Sequence, residues 1–327
     1  MDKKIDFVIT WVNDKDPKWI KKMNLFSKTL QTNRSKDTIL RFRDYGTLKF
    51  LFRSIERYAP WVNHIYLVTD DQVPNWLNRC NSKISLVDHK DILPSQILPV
   101  FNSDVIELSI NKIKGLSENF VYFNDDMLLN DFVKETDFFI NEKPRDFRIY
   151  RTFIPSEPFQ HIVFNDVALI NNWLNGTWPI SKTGLFSKKY NKQQIRNIFH
   201  LRRKFISSYL DPHIPLCFTK DSFSKSWKIW DKEISMNQHN RFRSNNDISI
   251  WLIRYFQLET GNFVPRSVDF GKFYDLNNIE DIVNDLNNSN HKLICINDSY
   301  INNYVEVINS ILSALYKKYP QKSCFEK

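Results

Sequence analysis

Two adjacent carboxylates, Asp125 and Asp126, close an apolar, β-branched and aromatic run that begins at Phe120 and passes through Asn124. Such a run reads as a buried strand. Acids at its carboxyl end stand where open α/β sheets bind ligands, in the crevice beyond the strand ends. Neighbouring carboxylates repel each other and are costly to bury unpaired. A divalent cation carrying phosphate oxygens offsets that repulsion. The segment therefore points to metal-assisted chemistry on a phosphate ester. A solvated Asn-Asp turn leaving a strand is the plainer alternative.

Further polar clusters sit at ends of elements, where a core does not account for them. Trp11 and Asn13 follow a first apolar run entered by Asp6, and Trp11 could stack on a base or sugar ring. Arg41 and Arg43 flank Phe42 just ahead of Asp44. Guanidinium forks match phosphate or carboxylate oxygens, although an Arg–Asp pair holding a loop would use the same residues. Asn102, Ser103 and Asp104 mark a helix start that favours an anion, and Glu107 follows on its first turn. His213 lies between Pro212 and Pro215, a rigid setting for a general base. Arg241, Phe242 and Arg243 repeat the Arg-aromatic-Arg theme, with Asn246 or Asp247 as the N-cap of the helix beyond.

The elements that must position these groups alternate strand and helix. Residues 5–12, 64–68, 84–87 and the run from Phe120 read as strands. Leu48, Leu51, Phe52, Ile55 and Tyr58 share one helix face that stops at Pro60, and a second helix runs from Ser103 or Asp104 to Gly115. Strand and helix in alternation predict a mostly parallel sheet with helices on its faces. In the middle, residues 147–152 read as an edge strand and 167–174 as a short helix capped by Asn165. A basic segment, 188–204, reads as an amphipathic helix that either packs on the core or docks on a membrane. Residues 247–258 predict a buried helix stopped by Gly261, and 304–319 a last helix before Pro320. Three portions result: an α/β core over 1–140, an accessory segment over 141–210, and a helical portion over 211–327 that completes the site.

Composition sets the outer bounds. The chain has 327 residues, 42% hydrophobic and 15% aromatic, enough for a sizeable core and against disorder. Its net charge of +9 suits anionic partners. Six glycines leave little room for a glycine-rich phosphate loop, and neither a Walker A sequence nor a convincing GxGxxG is present. Cys80, Cys217, Cys295 and Cys324 are scattered without CxxC spacing, which fits a reducing cytosol better than a zinc site or disulfide scaffold. No apolar stretch approaches bilayer length, so the expectation is a soluble or peripheral protein.

These clusters, in order, resemble the Stealth family of hexose-1-phosphate transferases. Residues 5–13 with Asp16 and Pro17 look like its first conserved region. Residues 41–44, 53–62, 98–107 and 124–126 look like the second. His213 with 243–247 is similar to the third, and 295–298 with the tail from Pro320 to the fourth. Tyr45 and Thr47 depart from the pattern, standing where the family usually has Asn and Glu. The resemblance implies a Rossmann-like, GT-A-like nucleotide-sugar-binding core. It further implies a UDP-sugar donor, Mg2+, release of UMP, and a phosphodiester to a hydroxyl of a lipid-linked glycan acceptor at the cytoplasmic face of the membrane. It places the essential polar residues at Glu107, Asn124, Asp126, His213 and Arg243, with Trp11, Asn13, Arg43, Asp44, Asn102 and Asp247 as substrate contacts. Two rivals use the same residues differently. A metal-dependent glycosyltransferase would release UDP. A non-catalytic basic module would bind nucleic acid or anionic lipid, but it needs aromatics exposed among the cations, and most aromatics here occupy core-like positions, so no nucleic acid partner is expected.

Overall fold

The computed structural model describes residues 4–29, 42–203 and 205–327; Arg41 and Lys204 lie outside the described residues. The first half builds β1 (Ile5–Thr10), α1 (Pro17–Thr29), α2 (Leu48–Tyr58), β2 (His64–Thr69), β3 (Ile84–Asp88), α3 (His89–Ile92), α4 (Ser103–Glu107) and β4 (Asn119–Asn124). Strands β3, β2, β1 and β4 lie side by side in that order, all parallel. The order reverses direction between β1 and β4, which makes their carboxyl ends the crevice of the sheet. After two residues the chain turns into β5 (Met127–Leu129) and leaves for another sheet. Asp125 and Asp126 are that corner.

The rest of the chain supplies β6 (Phe139–Ile140), β7 (Lys143–Asp146), α5 (Pro158–Leu174), α6 (Ile195–His200), β8 (Leu216–Thr219), α7 (Lys220–Ile229) and α8 (Asp231–Asn237). It closes with α9 (Trp251–Thr260), β9 (Val264–Pro265), β10 (Gly271–Asp275), α10 (Ile279–Asn288), β11 (Leu293–Asn297) and α11 (Tyr304–Lys318). Strand β8 pairs antiparallel with β4 and gives the main sheet its fifth strand. Strand β11 pairs with β10 on one side and with β5 on the other. The fold is mixed α/β with a mostly parallel central sheet, as the strand-helix alternation predicts.

Period-two alternation assigns the strand side chains to two cores. Phe7, Ile9, Val121 and Phe123 face the side covered by α2 and α11, through Leu51, Ile55 and Ile311. Val8, Phe120 and Tyr122 face the side covered by α5 and α9, through Val163, Ile170 and Leu252. Asp6, fully buried among these strands, accepts from Asn63 Nδ2 at 2.6 Å and the Ser117 amide at 2.7 Å. It fastens two loops at the amino edge of the sheet, away from the crevice.

Several boundaries differ from those read in the sequence. Helix α4 stops at Glu107, and a 3-10 turn at Ile110–Lys112 replaces its predicted continuation to Gly115. The Leu108 carbonyl, which a longer helix would use, accepts from Trp227 Nε1 at 2.9 Å. Residues 147–152 form only a single antiparallel bridge, Tyr150 to Tyr209, instead of a strand, because side chains claim part of their backbone: Asn197 bonds the Tyr150 amide and the Arg148 carbonyl, and Tyr190 bonds the Arg148 amide. Helix α5 begins at Pro158 rather than at 167, with proline at the position where a missing N–H costs nothing. Asn165 caps no helix; from mid-helix its amide donates to the carbonyls of Asn245 and Asp247 at 2.8 and 2.9 Å. The segment 188–204 is not one amphipathic helix, since Asn191 (φ 50°) interrupts it and only α6 is α-helical. Helix α9 starts at Trp251, and Gly261 (φ 73°) ends it as expected.

Candidate active site

A cleft of about 1040 Å3 opens at the carboxyl ends of β1 and β4, large enough for a nucleoside diphosphate carrying a sugar. Trp11, Arg43, Glu107, Asn124, Asp125, Asp126, His213 and Arg243 all line it. Residues separated by more than two hundred positions are therefore brought to one cavity.

The acid corner is its floor. Burial raises the Asp125 carboxyl well above the usual range, and the neighbouring charges of Asp126 and Asp44 push the same way. Asp126 is raised too, chiefly by burial, with His213 opposing. One oxygen of Asp126, Oδ2, accepts from the Cys295 thiol at 3.3 Å, while Oδ1 is buried and has no hydrogen-bond partner among the described residues. A buried, orphaned carboxylate oxygen beside a second, half-buried acid is a setting that a cation would satisfy. Asp126, His213 and Cys295 each offer one donor atom, all within 4.8 Å of one another. The thiol is not a ready ligand, because burial and then Asp126 push its pKa well up and its proton is spent on the carboxylate. A carboxylate oxygen of Asp126 and a ring nitrogen of His213 remain, with the Asp125 carboxylate next in the chain, and hard oxygen donors of this kind suit Mg2+ or Mn2+.

The opposite wall carries Glu107 and Arg243. Glu107 is pushed up to about 8, first by burial and then by the Asp104 charge, with Arg243 pulling down. At neutral pH its carboxyl is held largely in the protonated form, although hydrogen bonds from Tyr122 and Ser103 favour the charged one. Arg243 Nε pairs with Asp104 at 2.9 Å, and its Nη2 donates to Ser103 Oγ at 2.6 Å. Its loop is held in place from behind. Phe242 stacks on Phe101 with ring centroids 5.1 Å apart, and the Phe101 amide bonds the Arg241 carbonyl.

Asn102 and Asp247 belong to that support. Asn102 Oδ1 accepts from the Asp104 amide at the start of α4, and its Nδ2 donates to Asp247 Oδ2 at 2.8 Å. Asp247 also accepts from the Ser244 amide and from Asn240 Nδ2. Both stand behind the cleft wall. Trp11 Nε1 donates to Asp44 Oδ2 at 3.0 Å, so Asp44 fixes the indole at the cleft edge. Asn13 is likewise outside the lining, its backbone clamped by Gln72 at 2.9 and 3.0 Å. Asn124 Oδ1 accepts from Tyr122 OH at 2.7 Å, a hydroxyl also bonded to Thr10 Oγ1.

His213 adopts a left-handed backbone (φ 43°), rare for a residue with a side chain, and its ring meets Phe273 edge-on at 5.1 Å. Burial lowers its pKa, Asp126 raises it, and Arg243 lowers it. A mostly neutral imidazole at pH 7 can accept a proton. The loop that carries it is anchored by Asp211, which accepts from Arg254 Nη1 at 2.8 Å and Tyr255 OH at 2.9 Å.

Reasoning from the sequence picked out these residues but did not foresee four of the pairings around this site. Asp104 is the partner of Arg243. Asp298, not Asp44, is the partner of Arg43, gripping it with Nη2–Oδ1 at 2.6 Å while Tyr304 stacks 3.6 Å from the guanidinium. Cys295 reaches Asp126 because β11 pairs with β5 in a register that sets Cys295 opposite Met127. Tyr45 donates to the Ile296 carbonyl and so ties the Arg43 loop to the same strand. Arg254 left a legible signal, an arginine in the mostly apolar run from Ile248 to Phe256.

Comparison with known proteins fits this geometry. Residues 3–31 match the family region described as "Stealth protein CR1, conserved region 1", and residues 41–147 match "Stealth protein CR2, conserved region 2". An exopolysaccharide phosphotransferase of Lactiplantibacillus plantarum is 44% identical over 99% of this chain and 96% of its own length. A capsular polysaccharide phosphotransferase of Streptococcus pneumoniae is 41% identical over 99% of this chain and 98% of its own. A receptor polysaccharide phosphotransferase of Streptococcus oralis is 33% identical over 99% of each.

Proposed function

This chain belongs to the Stealth family of phosphotransferases, and from that premise we propose that it moves a hexose-1-phosphate from a UDP-sugar to a hydroxyl of a glycan acceptor during capsule or exopolysaccharide synthesis. One observation supports this above the others: the half-buried Asp125–Asp126 corner, with its buried, orphaned oxygen, shares a nucleotide-sized cleft with Arg243 and His213.

The acceptor hydroxyl attacks the phosphorus that bears the sugar. Its proton passes to His213, with Asp126 as the rival base. The bond from that phosphorus to the oxygen of UMP breaks, and a phosphodiester remains. The bond between the sugar carbon and its oxygen is untouched, so the anomeric configuration is kept. Asp126, with Asp125 beside it, would hold Mg2+ or Mn2+, which supplies neutralisation of the diphosphate charge. Arg243 offers positive charge to the transferred phosphoryl group from the opposite wall. Largely protonated, Glu107 adds little charge to repel the anionic substrate. Trp11 lines the nucleotide side, on a loop shaped by Asn13 and Asp44.

The test is product analysis. Purified protein incubated with a panel of UDP-sugars, acceptor glycan and Mg2+ should release UMP and give a phosphodiester signal in a ³¹P spectrum. Release of UDP with a product free of phosphorus would replace this function with ordinary glycosyl transfer.

A further inference from the structure

Helix α6 is inside out. Asn197 and His200 are its buried side chains, whereas Ile195, Ile198 and Phe199 are exposed. At helical spacing the two sets fall on opposite faces. Asn197 explains the inversion. Its Nδ2 donates to the carbonyls of Arg148 and Leu185 at 2.8 and 2.7 Å, and its Oδ1 accepts from the Tyr150 amide at 2.9 Å. Polar contacts thus fasten the segment to the body and hold its apolar face outward. Phe186 and Phe205 are exposed beside it, and Ile154 is 84% exposed nearby along the chain from the cleft residue Phe153. Several large apolar side chains exposed along one segment mark an interaction surface.

The charge on this span has one sign. Between Asp166 and Asp211 the sequence contains no acid, while Lys188, Lys189, Lys192, Arg196, Arg202 and Arg203 are all exposed. The span also borders the cleft. Arg203 donates to Thr152 Oγ1 at 3.3 Å, the Arg151 amide bonds the Ser208 carbonyl at 3.0 Å, and Arg151 and Phe153 line the cleft itself.

We propose that this face docks on a bilayer containing anionic phospholipid. The apolar side chains enter the headgroup boundary and the surrounding cations meet lipid phosphates, which sets the mouth of the cleft against the membrane surface. Nothing in this depends on which bond the enzyme makes, so docking and transfer chemistry can fail separately.

The experiment is co-sedimentation of the full chain with vesicles of phosphatidylcholine alone, or of phosphatidylcholine and phosphatidylglycerol in equal parts. Binding is expected to the mixed vesicles only and to weaken as salt is added, because screening acts on the cationic contribution. The double variant Phe199→Glu, Phe205→Glu should bind roughly 10-fold more weakly, while its melting temperature and its UMP release with a soluble acceptor stay unchanged. Equal binding to both vesicle types, no binding to the mixed vesicles, or unaltered binding by the variant would overturn the proposal. So would a dimer in size-exclusion chromatography that the variant converts to monomer, which would assign the face to a second copy of the chain.

Discussion

Cys295 Sγ lies 3.3 Å from Asp126 Oδ2, although 169 positions separate the two residues. The thiol donates to one oxygen and leaves the other, Oδ1, buried and unmatched among the described residues. It therefore orients the carboxylate that would meet the cation. Partners of this kind typically change metal affinity 10–100-fold when lost. Cys295→Ser keeps a donor and should behave nearly as the parent. Cys295→Ala should raise the Mg2+ concentration for half-maximal UMP release roughly 10-fold. Direct Mn2+ binding followed by electron paramagnetic resonance should show the same ranking; identical affinities in the two variants would mean that the thiol does not orient Asp126.

Metal removal gives a second expectation. EDTA should abolish sugar-phosphate transfer, and added Mg2+ or Mn2+ should restore it. Transfer that continues in EDTA would leave the acid corner without its assigned task.

Asp126→Ala and His213→Ala should each reduce turnover at least ~100-fold with little change in thermal melting. A base must be unprotonated to act. Activity should therefore fall as pH drops through the His213 pKa, which burial places below the ordinary imidazole value of 6.5. The residual activity of His213→Ala should lack that acid limb. A limb that persists in the variant would transfer the role to Asp126.

Glu107 predicts a pH dependence of stability. Its pKa is pushed from 4.5 up to about 8 in the fold, mainly by burial and then by Asp104. Between those values the folded state binds more protons than the unfolded state, so stability declines as pH rises through this window. Above it, the loss is complete. Glu107→Gln cannot ionise and should show a flatter melting temperature between pH 5 and 8, the checking measurement being calorimetry across that range.

Arg254 is 1% exposed and serves two acids at once, Asp146 at 2.7 Å and Asp211 at 2.8 Å. Replacing it by Leu strands both carboxylates in the interior. The expected loss is about 3–5 kcal/mol in urea unfolding, the usual cost of breaking a buried ion pair from one side. A loss below about 1 kcal/mol would mean that water reaches the pair, as at an exposed one.

Local pattern carried a great deal in this chain. The runs at Ile5, His64, Ile84 and Phe120 were legible as strands because a buried parallel strand must be apolar and β-branched. The alternating helices then required a parallel sheet, and Asp125–Asp126 at a strand's end stood out because no core tolerates two bare acids. Side-chain partners decided what pattern could not. Asn197 takes the Tyr150 amide and the Arg148 carbonyl, so that the expected strand over 147–152 shrinks to a single bridge, and Trp227 ends a helix by occupying a carbonyl.

Pairing across the fold settled the rest of the site. That Arg43 answers to Asp298, Arg243 to Asp104, and Asp126 to Cys295 depends on strand order and register, above all on β11 lying beside β5. Sequence reveals which residues are costly to bury, since that cost belongs to each side chain. It does not reveal which distant group offsets the cost, because electrostatic and hydrogen-bond energies depend on separations of a few ångströms that exist only once the chain has folded.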